Sequence, residues 1–517
     1  MSARGRKMEQ RWWLGVTAIT LLVLTVSLSA SLAAGPQELV VNRKGEGVSL
    51  DPAKTTTMED YTVMENIYGS LFRFKPNSFD LAPDLATDYK VSKDGKIYTF
   101  KLRQGVQWHK GFGEFTAEDV EFTIDRLKNP DTKSLYTKSY NDIIKVEVIG
   151  KHELKIHLKN PDATFLHRFT VTRPSGGLIV SKKAVSQLGR NYATQPVGTG
   201  PFIFSEAVPR EKIVLLGNKD YFEGPPKLQK VTLVPVTDET TALMALETGE
   251  VHISQIENVR LLPKYQSHDK LRVLTGPRIS IHMIMMNMKK APFDNLKVRQ
   301  AMAYAVNTDE IIAGILGGFA DKTTGVVHPD TFGYTAEVRK YPYDPQRAKA
   351  LLAEAGYPNG FKTNVVVLTY GQWQKTMELV KAQLAKVNID MGIQMLERGA
   401  YTKARGQETT ELVMFGVSLP PDPDFILNNE FHSKNVPPGG LNLSRYSGVD
   451  DLIEQGSREM DPAKRAQIYH RIQKKMAEDV PAIPLYHPKW TEVINKKVKG
   501  YTVERLGGVW LYPLSLE

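Results

Sequence analysis

Between Lys96 and Leu127 the chain changes its hydrophobic period once. Tyr98, Phe100 and Leu102 alternate with Ile97, Thr99 and Lys101, the two-residue repeat of a strand with one buried face. Asp94-Gly95 ahead of it is turn chemistry. After a polar break, Val120, Ile124 and Leu127 recur at helical spacing. Thr116 stands at the N-cap position with Asp119 three residues on, so a helix is predicted to begin there.

The same patterning extends along the chain. Strands are predicted over 38–42, 151–159, 212–218, 228–236 and 282–288. Asp238 is expected to cap a helix carrying Ala242, Leu243, Ala245 and Leu246, which Gly249 closes. Another helix is predicted over 295–306. Two more open on Asp-Pro, at Asp344-Pro345 and Asp461-Pro462, where aspartate caps and proline fits a first turn that has no use for its missing N–H. No internal repeat or low-complexity linker interrupts this mixed α/β pattern after residue 35.

Composition narrows the chemistry. The chain of 517 residues has no cysteine, which excludes disulfides, thiolate metal sites, catalytic thiols and a lipid-anchored cysteine. Its 11 histidines are scattered without metal-ligand spacing, and no cofactor is expected. G-x-S-x-G, H-E-x-x-H and phosphate-loop motifs are absent, so no enzyme activity is expected. Residues 1–34 read as a cleavable export signal: Arg4, Arg6, Lys7 and Arg11 precede an apolar run from Leu14 to Leu28, and Ala33-Ala34 supply small residues at the end. Threonines and serines dilute that run below what a spanning helix of ~20 apolar residues needs. The net charge is +10, and removing a segment with four basic residues and one acid leaves +7. No dense Lys/Arg run with interleaved aromatics follows, so nucleic acid is not an expected partner.

The literal strings go further. Leu50-Asp51-Pro52, Leu81-Ala82-Pro83-Asp84-Leu85-Ala86, the stretch Asp94–Leu127, Val197-Gly198-Thr199-Gly200-Pro201-Phe202 and N-L-K-V-R-Q-A-M-A-Y-A-V from Asn295 recur in the order found in one family. The chain resembles the extracytoplasmic solute-binding proteins of peptide- and nickel-type ABC importers. That resemblance implies an α/β, type II periplasmic-binding-protein fold, with two lobes that clamp the ligand plus an extra inserted domain. It places a discontinuous first domain at 35–74, 196–277 and 487–517, an inserted domain at 75–195, and a third domain at 278–486 that closes on the ligand. It also implies a periplasmic, monomeric receptor that delivers a peptide or peptide-like solute to membrane permease subunits. A secreted hydrolase acting on peptides or glycoconjugates is the alternative.

Candidate ligand residues follow from the same resemblance. The loop after Pro52 offers Thr56, Thr57, Glu59, Asp60 and Tyr61. Arg173 beside a glycine pair is a candidate anion site. Trp108, Tyr136, Tyr140 and Trp373 are candidate aromatic walls, with core packing as the rival reading for each. The string F-G-V-S-L-P-P-D-P-D from Phe415 matches G-W-x-x-D-x-x-D-P-D, which marks Val417, Leu419 and Asp422. Leu419 stands where peptide-binding members carry an aspartate for the α-ammonium, and Gly416 stands where they carry tryptophan. The strand T-N-V-V-V-L-T also lacks the arginine that dipeptide binders use for the α-carboxylate. These departures predict a ligand other than a short peptide held by both termini.

Overall fold

A computed structural model of the protein describes residues 37–75, 78–170, 176–418 and 421–517. The export-signal reading of 1–34 and the candidates Arg173 and Leu419 lie outside the described residues.

Twelve strands form the principal sheet: β1 (Glu38–Asn42), β2 (Phe202–Val208), β3 (Lys212–Gly217), β4 (Lys230–Val234), β5 (Ile253–Gln255), β6 (Leu271–Pro277), β7 (Ser280–Met286), β8 (Ala320–Lys322), β9 (Phe361–Leu368), β10 (Ile389–Leu396), β11 (Leu412–Ser418) and β12 (Ala482–Asn495). Ten lie in the order β2-β3-β4-β1-β5-β12-β7-β11-β9-β10, while β6 and β8 also pair with β12.

β12 belongs to both halves of this sheet. Its first residues pair with β7 and β8, and its later ones with β5 and β6. The chain therefore passes between halves within β12 and at the link between β6 and β7. In one half β1 runs parallel to β4 and β5; in the other β9 runs parallel to β10 and β11. One apolar core extends from Ile279 to Tyr486, including the methionines of β7. A second joins the first half to a separate four-stranded antiparallel sheet of Ala86–Val91, Ile97–Leu102, Glu153–Leu158 and Ile143–Gly150.

Local chemistry set the helix ends. Thr116 and Asp119 form a reciprocal capping box at Ala117–Lys128. Asp238 accepts from Thr241 N, and Gly249 closes Glu239–Thr248 at φ 85°. The Asp-Pro helices are Pro345–Glu354 and Pro462–Asp479, each with its aspartate accepting a first-turn N–H. The stretch after Pro52 departs from expectation. It is a loop only as far as Thr57, which caps the helix Met58–Ile67. Tyr61 is thus helical, and Tyr68 caps the helix at its C-terminal end.

Candidate functional site

Ligands of open α/β sheets settle outside the carboxyl ends of parallel strands. Here the carboxyl ends of β1 and β5 carry Lys44 and Glu257, and that of β9 carries Tyr370. The Tyr370 hydroxyl donates to Glu257 Oε1 at 3.0 Å, which joins the two halves across a crevice. Burial and the neighbouring carboxylate raise the Tyr370 pKa, so the hydroxyl keeps its proton and remains a donor.

The floor of the crevice is the crossover. Arg278, between β6 and β7, lays its guanidinium over the Trp490 ring of β12 at 4.1 Å. Its Nε is buried without a hydrogen-bond partner, and Glu257 Oε1 stands 3.8 Å from its Nη1. Trp490 Nε1 donates to the Arg505 carbonyl at 3.0 Å. Arg505 in turn reaches the second half through Asp330 at 2.6 Å. It also lines a cavity of about 500 Å³ together with Phe79 and His167 of the inserted segment and Phe332, Asp422 and Arg465 of the second half. A further cavity of about 230 Å³, near Val326, Tyr341 and Met476, shares no lining residue with this one.

The residues named from sequence fall into separate groups. Thr57 and Asp60 hold the loop together: Asp60 Oδ2 accepts from Val48 N at 2.9 Å, Ser49 N at 3.1 Å, Thr55 Oγ1 at 2.5 Å and Thr57 Oγ1 at 2.9 Å. Thr56 is exposed and Glu59 half-buried beside them. The Tyr61 and Tyr136 hydroxyls meet at 3.1 Å, which ties this loop to the inserted segment. Val417 is half-buried on β11, paired with Ile281, and its carbonyl accepts from Ser280 Oγ.

Four expectations need correction. Trp108 is not a wall; it is buried against Phe115 and donates Nε1 to Asp119 Oδ2 at 3.1 Å. Tyr140 is fully buried edge-on to Phe169 and donates to the Arg168 carbonyl at 3.2 Å. Trp373 is buried beneath Tyr370, with Nε1 donating to His282 Nδ1 at 3.3 Å. That histidine is held neutral, its pKa pushed down to about 3 by burial and the nearby Arg278 and His487, so its nitrogen can accept. Asp422 touches the larger cavity, but its carboxylate is engaged. It takes both guanidinium nitrogens of Arg465 at 2.7 and 2.8 Å and caps the helix Pro423–Phe431. An amphipathic ring packs as well in a core as in a cleft, and the local string does not tell the two apart.

Glu257, Arg278, Tyr370, Trp490 and Arg505 were not among the sequence candidates. The signal that finds most of them is position: Glu257 and Tyr370 follow the ends of parallel strands, and Arg278 and Trp490 lie at the crossovers between halves.

Comparison with known proteins gives the family and the fold. The model of the bacterial extracellular solute-binding proteins, family 5 (middle part) matches residues 80–438. The glutathione-binding protein GsiB of Escherichia coli O1:K1 / APEC is 32% identical over 510 residues, covering 96% of each chain. The periplasmic binding protein DppA of Helicobacter pylori, solved with the peptide STSA, superposes with a TM-score of 0.79 at 31% identity, over 93% of this chain and 98% of that one. MoaA of A. tumefaciens R10, solved with mannopinic acid, gives a TM-score of 0.79 at 29% identity, over 93% and 100%. Matched by the family model over most of its length and by relatives over nearly all of it, this protein belongs to family 5 of the bacterial extracellular solute-binding proteins.

Proposed function

We propose that this substrate-binding component of an ABC importer captures a peptide-like solute in the crevice between the halves and carries it, in the periplasm and as a monomer, to its permease. The observation that carries this reading is the Tyr370–Glu257 hydrogen bond across a crevice with partly unsatisfied charged groups on its floor. The domain division follows the crossovers: 35–74, 196–277 and 487–517 form one lobe, 278–486 the other, and 75–195 a flanking insert. The link between β6 and β7 and the middle of β12 are the hinge, so a ligand that touches both lobes favours the closed state. Family members are binding proteins rather than enzymes, which sets the hydrolase alternative aside.

Relatives named for glutathione, crystallised with a tetrapeptide, or crystallised with mannopinic acid share this scaffold, so the fold by itself does not choose the ligand. Native mass spectrometry of the purified mature protein, followed by denaturing release, tests the reading. A bound small molecule with peptide or amino-acid character supports it. A protein that carries nothing and binds neither glutathione nor short peptides in calorimetry overturns the peptide-like assignment.

A further inference from the structure

Four charged groups meet in the crevice, Lys44, Glu239, Glu257 and Arg278, and their hydrogen bonding is unequal. Glu239 is fully engaged: its two carboxylate oxygens accept the backbone N–H groups of Glu257 and Asn258 at 2.8 Å each, and Lys44 lies 3.1 Å from Oε1. It is a scaffold for the turn after β5. Glu257 is engaged on one side only. Tyr370 at 3.0 Å, Lys44 at 3.8 Å and Arg278 at 3.8 Å all converge on Oε1, while the side chain remains 29% exposed. Arg278 is clamped flat on Trp490. Among the described residues Glu257 is the one carboxylate within 4 Å of it, beyond hydrogen-bond reach.

Two orphan acceptors lie close in the sequence to Glu257 and to Tyr370. Asn258, next in chain to Glu257, buries its Oδ1 without a hydrogen-bond partner, and Gln372, two residues after Tyr370, does the same with Oε1. A half-used carboxylate suits a group with several N–H donors. A guanidinium fixed by stacking, with Nε unpaired, suits a planar anion that it can grip with two parallel bonds.

We propose that Arg278 and Glu257 together read an α-amino-acid head group, with the ligand's carboxylate on Arg278 and its ammonium on Glu257. This rests on the peptide-like reading above and sharpens it. The separation decides between head group and peptide termini. Arg278 and Glu257 are 3.8 Å apart at their nearest atoms, so the charges that meet them must also be close. Both charges on one α-carbon satisfy this, whereas each residue of an extended peptide adds about 3.5 Å between its termini. The favoured class is therefore γ-linked or side-chain-substituted amino acids, with the remainder of the ligand extending from the side chain.

The test compares two isomeric tripeptides by calorimetry. γ-Glutamyl-cysteinyl-glycine keeps the ammonium and carboxylate on one carbon, whereas α-linked Glu-Cys-Gly does not. The wild-type protein is expected to bind the γ-linked isomer at least tenfold more tightly, and also more tightly than its N-acetyl derivative. In E257Q, an isosteric change, and R278K, which keeps the charge but loses the planar fork, that preference should collapse while circular dichroism of the unliganded variants matches the wild type. Equal affinity of the wild type for both isomers, or variants that keep the preference, overturns the head-group assignment and leaves the peptide-like reading standing. Failure of both isomers and of ordinary dipeptides to bind overturns the parent reading, and this one with it.

Discussion

Gly416 and Trp373 divide one volume between them. A Cβ on Gly416 would lie 2.6 Å from Trp373 Cζ2 and 2.8 Å from His282 Cδ2. The neighbouring helix Trp373–Ala385 fills this space, and the residue of β11 facing it is reduced to hydrogen. The arrangement keeps the packing filled and pins the ring beneath Tyr370.

It follows that Gly416→Ala overpacks this point, at a cost of about 1–3 kcal/mol. Trp373→Ala empties it, at a cost of about 3–5 kcal/mol. Urea unfolding of both variants checks the prediction. Midpoints unchanged from the wild type would show that the two residues do not share a packed volume.

Asp422 and Arg465 form a buried ion pair, with side chains 5% and 6% exposed. Arg465→Met leaves a buried carboxylate unpaired and should cost about 3–5 kcal/mol. The double replacement Asp422→Leu with Arg465→Met should recover most of that loss. A residual of about 1 kcal/mol is expected, since Asp422 also caps its helix. Denaturation of the two single variants and the double variant gives the coupling directly; additive losses would contradict a buried pair.

Glu492 of β12 is buried, and desolvation pushes its pKa up to about 7, against a hydrogen bond from Tyr501 that lowers it. A carboxyl raised in the folded state stabilises most when both states are protonated. Its contribution is full below pH ~4.5 and is lost as pH rises through about 7. The loss is on the order of 3 kcal/mol. Glu492→Gln should therefore flatten stability between pH 4.5 and 7, as measured by melting temperature across that window. A variant whose pH profile parallels the wild type would show that Glu492 titrates normally.

Asp60 gathers four donors from residues 48–57 on one carboxylate oxygen. Asp60→Ala strands them and should cost about 1–3 kcal/mol, concentrated in this loop. Hydrogen exchange at Val48 and Ser49 is the sensitive measure, and protection equal to the wild type would refute the anchoring role.

Much of the architecture is written locally. Thr116 with Asp119, Asp238 with Gly249, and the two Asp-Pro pairs each solve a problem of unsatisfied backbone groups within a few residues, so their helices were legible by inspection. β1 was equally plain as a short apolar run, and the strand Ile97–Leu102 by the alternation that marks its buried face. The loop after Pro52 was misjudged because the helix there is weakly amphipathic. Its start is set by Thr57 and Asp60, which read as polar loop residues until their hydrogen bonds are seen.

By itself, then, the sequence determined the class of fold, the order of its elements and, through recurring strings, the family. Those depend on period, capping and covalent neighbours. Tertiary structure alone decided which side chains face the crevice. Glu257 and Tyr370 are 113 residues apart and meet only because two parallel strand sets turn their carboxyl ends toward each other. Trp108, Tyr140 and Trp373 have the composition of a binding wall and lie in cores, because the sheet each packs against, rather than the ring itself, decides whether it meets solvent or protein.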